Sequence, residues 1–280
     1  MVTRASGGVD VVFAVPRWSE RWVLEDDVTM AEGSEHRLTC ELLEEILRAW
    51  VERTARGATV YANLAVRWDE EHPTIGVDPD VCLVEPSPPD PKIQSLCTWL
   101  EGHHPPRVAV EVVSPRTASK DYVDGPAKYA ASGTREVWVF DPKRAGRGWM
   151  GGPWVLQLWR RSRAGAFRQA YAGDGPAYSK ELGAWLAVTD DGTRLRIADD
   201  EAGERLWWTG KETADARAEA ERTRADVERT RADVERTRAD AERSRADAER
   251  ARADAELRRA EAAETQVANL AAELAALKER

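Results

Sequence analysis

No stretch of the chain approaches the roughly 18 apolar residues of a membrane-crossing helix, and no charged segment near its start leads into a long apolar run. The expectation is a cytoplasmic protein with no membrane partner. Positive charge is also in deficit: 41 Lys and Arg against 50 Asp and Glu leave a net charge of −9. Phosphate affinity comes mainly from Lys and Arg, so indiscriminate nucleic-acid binding is excluded and any such contact needs a local basic patch. Cysteine is scarce. Cys40, Cys82 and Cys97 are odd in number and form no CxxC pair; they read as small buried thiols in a reducing compartment rather than metal or redox groups. Beyond Gly210 there is no aromatic residue, glycine or proline, although all twelve tryptophans precede it.

That abrupt change divides the chain into residues 1–210 and 211–280. At 280 residues it is long enough for one sizeable core and an appendage. Residues 221–256 repeat with a period of seven, Arg-Thr-Arg-Ala-Asp-Val-Glu and close variants. Placing Val227 and Val234 at a puts Thr230 and Thr237 at d, Arg231 at e and Asp233 at g, so that acids at g can meet arginines at e of a parallel partner. The seam then weakens to Ala241, Ala248 and Ala255, and each lost methylene forfeits about 0.8 kcal/mol of burial. Val267, Leu270, Leu274 and Leu277 resume it out of register, which implies a break near Leu257 to Ala260. The tail reads as a long helix and as a coiled coil that joins two copies. A solitary helix held by pairs such as Glu228 with Arg231 is the other reading.

The first 210 residues read as α/β. Leu38, Leu42, Leu43, Ile46, Leu47 and Trp50 recur at helical spacing over residues 35–55, with Ser34 as the cap. Alternation over residues 60–66 predicts a strand, and a second helix fits residues 121–131, started or bent by Gly125-Pro126. Residues 136–140 read as a buried strand, and residues 154–159 with 167–171 as a hairpin. Such an order makes a mixed sheet flanked by helices.

Two further strand-like runs carry the chemistry: Val77-Asp78-Pro79-Asp80-Val81-Cys82-Leu83-Val84 and Val108-Ala109-Val110-Glu111-Val112-Val113-Ser114-Pro115. Each is apolar and interrupted by carboxylate, which is costly to bury without compensation. Two carboxylates on neighbouring strands repel, so one stays protonated unless a cation lies between them. A divalent metal satisfies both.

The string formed by Pro79-Asp80, Val110-Glu111-Val112-Val113-Ser114-Pro115 with Thr117 and Asp121, Tyr129 through Gly133, Glu136-Val137-Trp138 and Asp141-Pro142 resembles the Uma2 family of restriction-endonuclease-like proteins, a branch of the PD-(D/E)xK nuclease superfamily. The resemblance runs through most of residues 20–210. It implies a restriction-endonuclease-like sheet and Mg²⁺-dependent (or Mn²⁺-dependent) cleavage of DNA. Asp80 and Glu111 would hold the metal through hard oxygens, with the Val112 carbonyl as a third ligand. A lysine would orient or activate water and stabilise the transition state.

The lysine is where this chain departs. The superfamily commonly keeps it two residues after the glutamate, where Val113 stands; many Uma2-like sequences keep it four residues after the acid matching Asp121, where Gly125 stands. Lys128, one helical turn on, and Lys120, beside Asp121, are the substitutes. His36 occupies a place where Uma2-like proteins often have histidine, and Glu41 and Glu45 are accessory acids on the same helix. His72, His103 and His104 flank prolines without ligand-like spacing. Arg144, Arg147, Arg160, Arg161, Arg163 and Arg168 form the one phosphate-tracking stretch, interleaved with Trp149, Trp154 and Trp159, which read as packed on the sheet. The alternative to a nuclease is a catalytically silent nuclease-fold module that binds nucleic acid or protein, with the coiled coil as its working part.

Overall fold

The computed structural model describes residues 18–24, 33–114, 118, 120–146 and 152–278. Contacts divide the chain into two compact units, residues 1–213 and 214–280.

In the first unit, the periodic run makes helix α1 (Ser34–Thr54), which buries Leu43, Ile46, Leu47 and Trp50 along one face. Gly33, not Ser34, is its N-cap, in extended conformation and with no side-chain cap bond. The single strand expected over residues 60–66 is two, β1 (Thr59–Ala62) and β2 (Ala65–Arg67). Asn63 separates them at φ +50, a left-handed conformation that asparagine tolerates and that ends an extended run. The remaining strands up to the first helix crossover are β3 (Val81–Val84), β4 (Ser95–Cys97) and β5 (Val108–Val112). A π-helical turn at Lys120–Asp124 leads into α2 (Gly125–Ser132), with Pro126 in its first turn, where a missing N–H costs nothing. Then follow β6 (Glu136–Phe140), the hairpin β7 (Leu156–Arg161) and β8 (Phe167–Gly173), and three strands that periodicity did not reveal: β9 (Ala177–Ser179), β10 (Ala184–Thr189) and β11 (Arg194–Ala198).

The main sheet has the order β1-β3-β5-β6-β7-β8, and β9 to β11 form a second, antiparallel sheet. Only the β5–β6 pair of the main sheet is parallel, because α2 carries the chain back between them. Strand alternation sorts the side chains. Val81, Leu83, Val110 and Trp138 join the core with α1 and the second sheet; Cys82, Val84, Ala109, Val139 and Trp159 join the core with Tyr129 of α2. Glu136 is fully buried yet satisfied: the Trp138 indole and Arg160 guanidinium each donate to it at 3.0 Å, the Lys180 amide at 3.1 Å, and the Ser179 hydroxyl donates too. It thereby ties β6 and β7 to β9.

Helix α3 (Gly210–Lys278) opens inside the first unit with a capping box. Thr209 Oγ accepts the Glu212 amide at 3.0 Å, and Glu212 Oε2 accepts the Thr209 amide at 2.8 Å. Arg196 grips the same carboxylate at 2.7 and 3.0 Å.

The second unit continues α3, whose 69 residues correspond to about 100 Å of helix. The backbone is helical through Leu257 to Ala260, so the expected break does not interrupt the helix. Val227, Val234, Leu257, Val267 and Leu270 are exposed. Arg231 pairs with Glu235 at 3.5 Å, not with Glu228. Among the described residues no helix is long and apolar enough to cross a membrane.

Candidate metal centre

Asp80 follows Pro79 at the mouth of β3, and its carbonyl accepts the Asn63 amide at 3.1 Å. In the β3–β5 ladder Val81 faces Val110, so one further step sets Asp80 level with Glu111. The two carboxylates therefore come from adjacent strands at the same height. Asp80 Oδ2 accepts the Val112 amide at 2.6 Å. Glu111 lies on the α2 side of the sheet, 4% exposed, and its Oε1 accepts the Tyr129 hydroxyl at 2.5 Å. Burial pushes the Tyr129 phenol well above its ordinary range, and the negative charges of Glu111 and Asp80 push it further. Both acids thus act on one buried hydroxyl, which stays a neutral donor.

Tyr129 is held from behind. Arg161 donates to the carbonyls of Tyr129 at 3.2 Å, Ala130 at 2.5 Å and Thr134 at 3.1 Å, satisfying the open C-terminal end of α2. Gly133 completes the turn at φ +86, where a side chain would be strained. Tyr129 had no site role in the sequence, and Arg161 stood there only as part of the phosphate-tracking stretch. The tyrosine belonged to the family string, but nothing local marks it as the partner of an acid 18 residues earlier.

His36 enters from the first turn of α1. Its Nε2 lies 3.3 Å from Asp80 Oδ2, and both side chains are largely buried. One turn on, Cys40 Sγ lies 3.7 Å from His36 Nδ1. One ligand atom each from His36, Cys40 and Asp80 lie within 4.8 Å of one another. Cys82 is fully buried, as expected, and burial raises its thiol strongly, but Cys40 and Cys97 are only half-buried.

The other expected site residues fall as follows. Lys128 is buried on α2 beside Tyr129, at 6% exposure. Lys120 starts the π turn, but its side chain lies outside the described residues, as do Pro115 and Thr117. Glu41 and Glu45 are exposed, and Glu41 lies 3.4 Å from Arg37. Val112 turns its amide toward Asp80 and its side chain into the α1 core.

The arginine stretch is mostly committed to the protein itself. Arg160 serves Glu136, Arg161 closes α2, and Arg144 pairs with Asp174 at 3.0 Å; Arg163 and Arg168 lie at the surface. Arg147 and Trp149 lie outside the described residues. Trp159 is in the core, stacked on Phe167 with centroids 6.1 Å apart, so it offers no face to a base. His72 stacks on Trp18 and lies 3.6 Å from Asp69.

Residues 24–147 match the family model Uma2, described as "Putative restriction endonuclease". Over that segment the chain is similar to the Uma2 family. The match takes in α1, both acidic strands and α2, so every residue described around Asp80 and Glu111 except Arg161 falls within it. A crystal structure of a "putative nuclease belonging to DUF820" from Anabaena variabilis is similar at 13% identity and a TM-score of 0.39, covering 55% of this chain and 75% of its own. No curated protein matches the chain significantly.

The segment that matches Uma2 offers oxygens to a divalent ion on chemical grounds. Two carboxylates sit at one level of two paired strands, and the buried one accepts the Tyr129 hydroxyl. Hard oxygens at such a place suit Mg²⁺ or Mn²⁺.

Proposed function

We propose that this chain is a DNA endonuclease that hydrolyses phosphodiester bonds with Mg²⁺ or Mn²⁺ held by Asp80 and Glu111. The observation that supports the reading is the placing of Asp80 level with Glu111 on adjacent strands, within the segment that matches Uma2. The metal would acidify a bound water and neutralise charge on the scissile phosphate. The chain's own residues do the positioning. Tyr129 fixes the rotamer of Glu111, the Val112 amide fixes that of Asp80, and the Val112 carbonyl is offered as a third ligand. His36 stands beside Asp80 and orients it. Lys128, buried on the helix that carries Tyr129, is the cation assigned to the developing phosphate charge, with Lys120 as the substitute; a charge in a dry site acts more strongly than in water. Glu41 and Glu45 stay accessory, on the exposed side of α1.

A plasmid-cleavage assay in Mg²⁺ and Mn²⁺ tests this. Wild type should nick or linearise DNA, and Asp80→Ala and Glu111→Ala should each abolish it. Cleavage that survives both substitutions places any activity elsewhere, and no cleavage by wild type sinks the reading.

The tail is proposed to join two copies as a coiled coil, bringing two such sites to one duplex. Its support is the exposed apolar row of Val227 and Val234, with Thr230 and Thr237 turning their hydroxyls back to their own helix at 2.9 and 2.8 Å. That internal bonding leaves the threonine methyl groups available to a seam. Sedimentation of the full chain against one ending at Thr213, which keeps the Arg196–Glu212 pair, reads this directly; equal monomer masses would leave a solitary helix. The second reading, a silent binding module working through its coiled coil, is favoured by Gly125 at the start of α2 in place of a lysine.

A further inference from the structure

We propose that His36, Cys40 and Asp80 form a separate site for a thiophilic divalent ion of the Zn²⁺ class, which shares Asp80 with the hydrolytic metal and opposes it. His36 and Cys40 stand at i and i+4 on α1, so their side chains rise from one face. Cys40 Sγ lies 3.7 Å from Nδ1 of the ring, and Asp80 Oδ2 lies 3.3 Å from its Nε2. Bonds of about 2.3 Å to sulfur and about 2.0 Å to nitrogen in a tetrahedral ion give an S···N edge of roughly 3.6 Å. The Cys40–His36 pair already spans such an edge.

The imidazole supplies one nitrogen, and small rotations of the half-buried Cys40 and Asp80 side chains close the rest, since one ligand atom from each residue lies within 4.8 Å of the others. Three protein ligands leave a fourth position for water. On binding, the Cys40 thiol gives up its proton to solvent and ligates as thiolate.

The donor sets sort the ions. Nitrogen, sulfur and one carboxylate suit Zn²⁺ or Co²⁺, whereas Mg²⁺ takes oxygens and is left with Asp80 and Glu111. Asp80 Oδ2 already accepts the Val112 amide, and two divalent ions drawn to one carboxylate repel each other, so each weakens the binding of the other. The competition, though not the binding itself, rests on Asp80 holding the hydrolytic metal as proposed above.

Cobalt titration of the full chain is the test, read by the near-ultraviolet thiolate-to-cobalt absorption. Wild type should show the band, Cys40→Ser should lose it, and Cys97→Ser should keep it. His36→Ala and Asp80→Asn should weaken cobalt binding by about tenfold or more, since even an outer-shell partner is worth that much. No band in wild type, or an undiminished band in Cys40→Ser, overturns the site. Excess Mg²⁺ should lower the apparent cobalt affinity; an affinity indifferent to Mg²⁺ overturns the sharing of Asp80. Both readouts are independent of DNA cleavage, so the nuclease reading can fail while the thiophilic site stands.

Discussion

Replacing Tyr129 with phenylalanine removes one oxygen atom from the centre of the site, and its cost can be worked from the contacts. The hydroxyl is fully buried and donates to Glu111 Oε1 at 2.5 Å; Glu111 is itself 4% exposed, so water cannot readily take the donor's place. A buried hydrogen bond contributes about 0.5–3 kcal/mol, the upper part of that range for a charged acceptor. Tyr129→Phe should therefore destabilise the metal-free protein by about 2 kcal/mol, a melting shift of about 4–8 °C for a unit of this size. Tryptophan fluorescence is the assay, because all twelve tryptophans precede Gly210 and the signal reports only the first unit. A metal on Glu111 would replace the lost partner, so the penalty should shrink in saturating Mg²⁺ or Mn²⁺ relative to chelator. A loss below about 0.5 kcal/mol in chelator refutes the hydrogen bond from Tyr129 to Glu111. A loss that metal leaves unchanged refutes Glu111 as its ligand.

Glu136→Ala should cost about 3–5 kcal/mol by chemical denaturation, because it strands the Arg160 guanidinium, the Trp138 indole and the Lys180 amide around a buried hole; a loss under about 1 kcal/mol would contradict the network. Arg161→Lys should speed amide exchange in α2 and cost about 1–2 kcal/mol, since one ammonium cannot reach the carbonyls that the planar fork serves; unchanged exchange would show that the helix end needs no such closure. The Arg196 guanidinium holds Glu212 below its ordinary value of 4.5. Its folded-state value is depressed, so its stabilisation is present above that ordinary value and lost as pH falls through the lower one. Glu212→Gln should therefore be less stable than wild type at neutral pH and converge with it in acid; parallel stability curves down to low pH would contradict the pairing.

Much of the fold was legible because it follows local periodicity. The 3.6-residue rhythm of Leu43, Ile46, Leu47 and Trp50 specifies α1, the apolar runs specify β3, β5 and β6, and the heptads specify α3. Where backbone exceptions intervene, pattern fails. Asn63 at positive φ cuts an alternating run in two, and the π turn before α2 shifts its face. The second sheet was missed because strands of three to six residues separated by tight turns have too short a pattern to distinguish from loop.

The site divides in the same way. An acid interrupting an apolar strand is a statement about burial, and burial is written locally, so Asp80 and Glu111 could be picked out from the chain alone. Which groups meet them is a long-range fact. Tyr129 reaches Glu111 only because α2 crosses back over the sheet, and His36 with Cys40 reaches Asp80 only because α1 packs near the mouth of β3. The arginines after Asp141 carry the opposite lesson: composition marks them as a basic patch, while tertiary packing commits Arg160 to a buried acid and Arg161 to a helix end. The sequence alone determined α1, strands β3, β5 and β6 and the long tail helix, because each depends on neighbours a few residues away. Partners, rotamers and the thiol beside the histidine were decided only by the tertiary structure, because side chains from different elements become neighbours only once the sheet and its helices have packed.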